Sequence, residues 1–184
     1  MFVSNKSRWT DHDLMALPRE GRKYELLDNQ LLMSPVSLTH SVTCVRLVVL
    51  LSNHVQRQHL GEVFDSSMGF QLSPDTVLSP DVSFISCDRL NSLAGSPDKF
   101  LEGAPELVIE VLSPSDRRRM IDGKIDLYFE HGVRMAWVAD PKKQEITIRV
   151  PGSEKKLIGL NAVLTGGNVL PKFKCRLSDI FRRV

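Results

Sequence analysis

Residues 105–141 read PELVIEVLSPSDRRRMIDGKIDLYFEHGVRMAWVADP, and their pattern decides the fold. Positions 106–112 form a largely apolar run that opens on Glu106 and carries a second acid, Glu110, among Val108, Ile109, Val111 and Leu112, which is the composition of a strand covered on both faces. Ser115 can cap a helix, and Ile121, Ile125, Leu127, Tyr128 and Phe129 give the following stretch an apolar stripe as far as about residue 130. His131-Gly132 supplies its exit. Residues 133–139 are again extended and apolar. Strand, helix, strand implies a crossover with parallel strands and a right-handed turn.

The rest of the chain is read outward from that unit. Thr10 followed by Asp13 is an acidic variant of the capping box, so Leu14, Met15 and Leu17 belong to a short helix that Pro18 ends. Residues 24–33 read as two strands about Asp28-Asn29, a hairpin dipeptide that tolerates positive φ. Positions 38–60 give the longest helix, with Val42, Val45, Val48, Val49 and Val55 as a broad apolar face and Gly61 as its stop. Three short strands follow at 62–65, 69–72 and 81–86, suited to antiparallel pairing, and then a polar surface loop at 88–103. Beyond the Asp140-Pro141 turn, 145–150 and 155–160 pair across Pro151-Gly152, and 177–181 forms a closing helix. The expectation is one α/β domain over 1–184, its core at about 9–181, built as a mixed β-sheet flanked by helices.

Composition narrows the function classes. The chain has 184 residues, 42% of them hydrophobic and 25% charged, which suits a single core; its net charge of +2 does not by itself mark a nucleic-acid binder. Cys44, Cys87 and Cys175 are odd in number and far apart, so free, buried thiols are expected rather than disulfides. No signal-like start and no apolar run near the roughly 20 residues of a bilayer span are present, so no membrane association and a cytoplasmic location are expected. A dinucleotide fingerprint and a Gly-rich phosphate loop are both missing. Ser113 and Ser115 lack the glycines of a nucleophile elbow.

The chemistry concentrates on two acids in apolar strands: Asp81, directly after Pro80 in SPDVSFI, and Glu110. A buried carboxylate is costly unless a cation or hydrogen bonds compensate. Two that converge from neighbouring strands favour a hard divalent ion held through oxygen, as Mg²⁺ is. Taken alone, Asp81 could equally be a strand-end acid facing water. Lys124 stands on the next helix with Tyr128 one turn further on the same face; alone, it reads as a solvated helix lysine. Arg117, Arg118 and Arg119 could contact phosphates or simply open a solvated helix, and the same holds for Lys172, Lys174 and Arg176. His54 and His59 are off the spacing that pairs ligands on one helical face and read as surface residues.

Taken in order, KYELLDNQLLMSP, His40, GFQL, SPDVSFI, PELVIEVLSPS, Lys124 with Tyr128, HGVRMAWVADP and LSDIF resemble the Uma-two family of restriction endonucleases, a branch of the PD-(D/E)XK nucleases. The resemblance runs from about Trp9 to Phe181. It implies a restriction-endonuclease-like fold, with Asp81 and Glu110 as the acids that bind Mg²⁺, or Mn²⁺ in its place, and activate water. The usual lysine position is Leu112 here. The resemblance implies that Lys124 has taken over its role, with Glu25 as an additional acid, His40 as a family histidine and Tyr128 in support. DNA is the implied substrate. The chain departs from the family pattern at Asn29 and Gln30, where relatives carry a glycine and an acid, and at Met120, where many carry an acid; Asp122 cannot occupy that same place.

Two function classes stay open on the sequence. One is a metal-dependent endonuclease hydrolysing DNA. The other is a catalytically degenerate nuclease-fold domain that binds DNA or protein. Metal titration separates them. The width of the apolar face on the long helix adds the expectation of a homodimer.

Overall fold

In the computed structural model, which describes residues 8–17, 23–34, 37–92, 100–113 and 118–182, Thr10 and Asp13 close the capping box from both sides. Thr10 Oγ1 accepts from the Asp13 N–H at 3.2 Å, and Asp13 Oδ2 accepts from the Thr10 N–H at 2.9 Å. They open α1 (Asp11–Ala16), whose inward residue is Leu14. The hairpin of β1 (Lys23–Leu27) and β2 (Gln30–Ser34) turns on Asp28 and Asn29 at φ 48° and 61°, the paired positive angles of a two-residue connection.

β1 leads a five-stranded sheet of order β2-β1-β5-β4-β7. Its other members are β4 (Phe70–Ser73), β5 (Thr76–Leu78) and the two-residue β7 (Leu101–Glu102), which pairs parallel to β4. The stretch expected to be a surface loop therefore holds β7 and also α3 (Cys87–Ser92). The sequence reading also overlooked β5, three residues long and directly behind a turn.

The second sheet carries the crossover. Its order is β11-β10-β9-β8-β6-β3, formed by β3 (Gly61–Asp65), β6 (Val82–Ser86), β8 (Leu107–Val111), β9 (Met135–Asp140), β10 (Glu145–Arg149) and β11 (Lys156–Gly159). β8 and β9 are parallel, as the strand, helix, strand pattern requires, and α4 (Arg118–Glu130) joins them. The other neighbours pair antiparallel, which makes the sheet mixed. Ser115, the expected cap of α4, lies outside the described residues. A third pairing, β12 (Val163–Gly166) with β13 (Leu170–Arg176), precedes α5 (Leu177–Phe181).

Alternation along β8 divides the interior. Leu107, Ile109 and Val111 enter the larger core with Leu47, Leu51, Val55, Trp137 and Phe181. Val108 points the other way, into a core with Ile125, Tyr128 and Val138 from α4 and β9. Glu110 follows Val108 at period two and so faces α4.

The long helix, α2 (Leu38–Gln58), corrects two expectations. Its buried residues are His40, Thr43, Leu47, Leu51 and Val55, whereas Val45 and Val49 are 62% and 52% exposed. Its stop is His59, left-handed at φ 51°, rather than Gly61. Gly61 serves the sheet instead: at φ 150° it opens β3 where a Cβ would meet the Ile85 carbonyl oxygen at 1.9 Å. The three cysteines are thiols outside any disulfide, but only Cys175 is buried; Cys44 is half-buried and Cys87 exposed. Among the described residues, no helix is long and apolar enough to cross a membrane.

Candidate active site

Ser79, Pro80 and Asp81 carry the chain from β5 in one sheet to β6 in the other, and residues 76–85 are buried throughout. A buried connection must find partners for its backbone groups. Glu25, inward on β1, supplies one: its Oε1 accepts from the Ser79 N–H at 2.7 Å. The register that pairs Val82 with Ile109 carries Asp81 across from Glu110, at the start of one strand and the end of its neighbour. Asp81 Oδ2 accepts from the Val111 N–H at 2.8 Å, the position a ladder carbonyl would otherwise take, and lies 3.1 Å from His40 Nε2.

Lys124 and Tyr128, four apart on α4, face this junction together. Lys124 Nζ lies 2.9 Å from Glu110 Oε1 and 2.7 Å from Glu25 Oε1, and 5.9 Å from the centre of the Tyr128 ring. The Tyr128 hydroxyl donates to Glu110 Oε1 at 3.2 Å. Burial holds that phenol protonated well above its ordinary range, and the nearby charges of Glu110, Glu25 and Asp81 push in the same direction. Tyr128 thus senses all three carboxylates at once.

Burial sets the energetic question. Glu25, Asp81 and Glu110 are 6%, 5% and 3% exposed. Among the described residues, the Lys124 ammonium is shared by two of these carboxylates, Glu25 and Glu110. A buried carboxylate is expensive unless a cation or hydrogen bonds compensate it, so such a cluster is suited to binding a cation. The donors are hard oxygens on rigid strands, the set that suits Mg²⁺ or Mn²⁺. Asp81 and Glu110 are the residues that could hold such an ion.

The structure thus brings Glu25, His40, Asp81, Glu110, Lys124 and Tyr128 to one place. Other candidates lie elsewhere or serve other contacts. Arg118 and Arg119 are exposed, and Arg117 is outside the described residues. Met120, one turn before Lys124, is 59% exposed. The Asp122 carboxylate is engaged by Arg149 at 3.2 Å and Lys155 at 3.0 Å. Asn29 accepts from Arg8 at 3.0 Å, and Gln30 is exposed. Lys172, Lys174 and Arg176 occupy the outward positions of β13. His59 is exposed, but His54 packs edge-on against Phe173 with ring centres 5.3 Å apart, so it is not simply a surface residue. The sequence reading missed Cys44, whose Sγ lies 3.6 Å from His40 Nδ1. Its position one turn after His40 was the available signal.

Comparison with known proteins agrees with this architecture. A crystal structure described as "a putative nuclease belonging to DUF820", from Anabaena variabilis, superposes with a TM-score of 0.77 over 94% of this chain and 97% of that one, at 20% identity. An uncharacterized protein of Synechocystis is 35% identical over 112 residues, which are 60% of this chain and 56% of that protein, so the match spans little more than half of the relative. The model of the Uma2 family, whose description is "Putative restriction endonuclease", matches residues 11–178. Nearly the whole folded chain, including every residue gathered at the junction of the two sheets, falls within that match, and the chain belongs to the Uma2 family.

Proposed function

We propose that this chain is a Mg²⁺-dependent endonuclease that hydrolyses phosphodiester bonds in DNA. The observation that carries the reading is the convergence of Asp81 and Glu110 at the ends of paired strands with Lys124 within 2.9 Å of Glu110. Asp81 and Glu110 would hold the divalent ion, which would supply a lowered pKa for a coordinated water and charge neutralisation at the scissile phosphate. Asp81 is held in place by the Val111 N–H and Glu110 by the Tyr128 hydroxyl, so neither acid must be ordered as substrate arrives. Lys124 offers its ammonium to the attacking water or to the charge developing on phosphorus. Glu25 keeps Lys124 aimed at the centre. Water adds to phosphorus and the bond to one sugar oxygen breaks, leaving one phosphate monoester and one hydroxyl end.

The test is incubation of supercoiled plasmid with the purified chain in Mg²⁺ and, separately, Mn²⁺. Nicked or linear product that disappears in Asp81→Asn and Glu110→Gln supports the reading. Metal binding without cleavage in either ion would favour the non-catalytic DNA- or protein-binding class.

A further inference from the structure

We propose that His40, Cys44 and Asp81 form a second, overlapping site for a softer divalent cation of the Zn²⁺ type, so that zinc withdraws Asp81 from the Mg²⁺ site. The binding stands on its own geometry; the inhibition rests on the nuclease reading above.

His40 and Cys44 are four apart on α2, and the Ser37 hydroxyl fixes the first turn by accepting from the His40 N–H at 3.2 Å. The imidazole lies between the other two side chains, with Nε2 3.1 Å from Asp81 Oδ2 and Nδ1 3.6 Å from Cys44 Sγ. One donor atom from each of the three residues falls within 4.8 Å of the other two. A tetrahedral ion with bonds of about 2.0–2.3 Å sets its ligands roughly 3.3–3.8 Å apart, so a rotamer adjustment closes the set.

Donor type decides which ion is preferred. Imidazole and thiolate suit Zn²⁺, whereas Mg²⁺ takes oxygen and keeps its waters. His40 is buried and held on Asp81, while half-buried Cys44 leaves a route from solvent. Binding would release the thiol proton and exchange the His40 to Asp81 hydrogen bond for two bonds to metal. The remaining thiols are poor competitors. Cys175 is pushed up to about 12 by burial and by Asp179, and Cys87 donates at 3.5 Å to the carbonyl of His59, which ends α2 at the opposite end from His40.

Cobalt(II) reports the site directly, without DNA. The purified full chain, stripped of metal by chelator and titrated with Co²⁺, is expected to develop a near-ultraviolet thiolate-to-cobalt absorption. It should saturate at one ion per chain and be reversed by Zn²⁺. The band should vanish in Cys44→Ser and in His40→Gln, persist in Cys87→Ser and Glu110→Gln, and require more cobalt in Asp81→Asn. Thermal unfolding of each variant without metal shows whether it is folded. No band in the wild type, a band surviving in Cys44→Ser, or one lost in Cys87→Ser would overturn the site. In the cleavage assay, zinc should inhibit the Mg²⁺ reaction of the wild type, and Cys44→Ser should resist it. Cleavage indifferent to zinc in a chain that shows the cobalt band would overturn the shared use of Asp81. Absence of cleavage in every metal would count against the nuclease reading alone, because the cobalt spectrum still decides whether the site exists.

Discussion

Lys124 Nζ lies 2.9 Å from Glu110 Oε1, tying the middle of α4 to the C-terminal end of β8. The side chains are 12% and 4% exposed, so the pair is largely out of water. As the solvated helix lysine it resembles in isolation, Lys124 would tolerate methionine with folding largely intact. The burial argues otherwise, since the substitution removes the ammonium that both Glu25 and Glu110 meet. A stability loss of about 3 kcal/mol is expected in chelator, by analogy with other broken buried pairs. Added Mg²⁺ should return part of it. Cleavage should fall on the order of 100-fold or more, the scale of lost preorganised charge. Denaturant titration and a plasmid assay read the two effects separately; equal cleavage by variant and wild type would reduce Lys124 to a structural role.

Asp81→Asn keeps the shape and an oxygen able to accept from Val111, but removes the anion. Wild type should gain roughly 2.7 kcal/mol at a Mg²⁺ concentration about 100 times its Kd, by mass action. The variant should lose most of that gain. Calorimetric scans with and without Mg²⁺ give the comparison, and an undiminished metal-dependent shift in Asp81→Asn would remove it from the ion's ligands.

Tyr128 supplies a pH test in chelator. Its folded pKa is raised, first by burial and then by Glu110, Glu25 and Asp81, so the folded state holds its proton more tightly than the unfolded chain. The sign follows: the stabilisation is fully present below pH about 10, the unfolded value, and is lost as pH rises through the folded pKa. The tyrosinate absorbance of Tyr128 should therefore appear only with alkaline unfolding. Tyr128→Phe should abolish that late step and cost about 1–2 kcal/mol through the bond lost to Glu110. An ionisation near pH 10 in the folded wild type that Tyr128→Phe removes would contradict the burial.

The site was legible where chemistry conflicts with surroundings. Glu110 among apolar neighbours and Asp81 behind Pro80 stand out because a buried acid needs a reason, and both are buried. Lys124 was different, since nothing local separates it from a solvated lysine, and only the family resemblance singled it out. Cys44 escaped notice because a half-buried thiol in a Val-rich helix looks like packing. Elements were lost where local signals are weak. β5 and β7 are too short to show alternation, while Gly166-Gly167 and Pro171 obscure β12 and β13. The apolar face of α2 was misassigned because valines occur on both sides of the helix, and tertiary packing alone selects Leu47, Leu51 and Val55 for the core.

That misassignment gives the homodimer proposal a specific surface. Leu38, Val45 and Val49 are 71%, 62% and 52% exposed, and with half-buried Val42 they follow one another at steps of four, three and four, the spacing of a helix–helix seam. An apolar seam on an outer helix is best matched by the same seam on a second copy, since a two-fold contact makes one patch serve both sides. The chain is therefore expected to sediment as a dimer at micromolar concentration. Val45→Glu combined with Val49→Glu places four like charges across the seam of such a pair and should give a monomer. Both positions are solvent-exposed within one chain, so each substitution should change monomer stability by no more than about 0.5 kcal/mol, with a few tenths more from repulsion at i, i+4. Sedimentation velocity with thermal unfolding distinguishes lost association from lost folding. A wild-type monomer, or a dimer unaffected by the double substitution, would remove α2 as the interface.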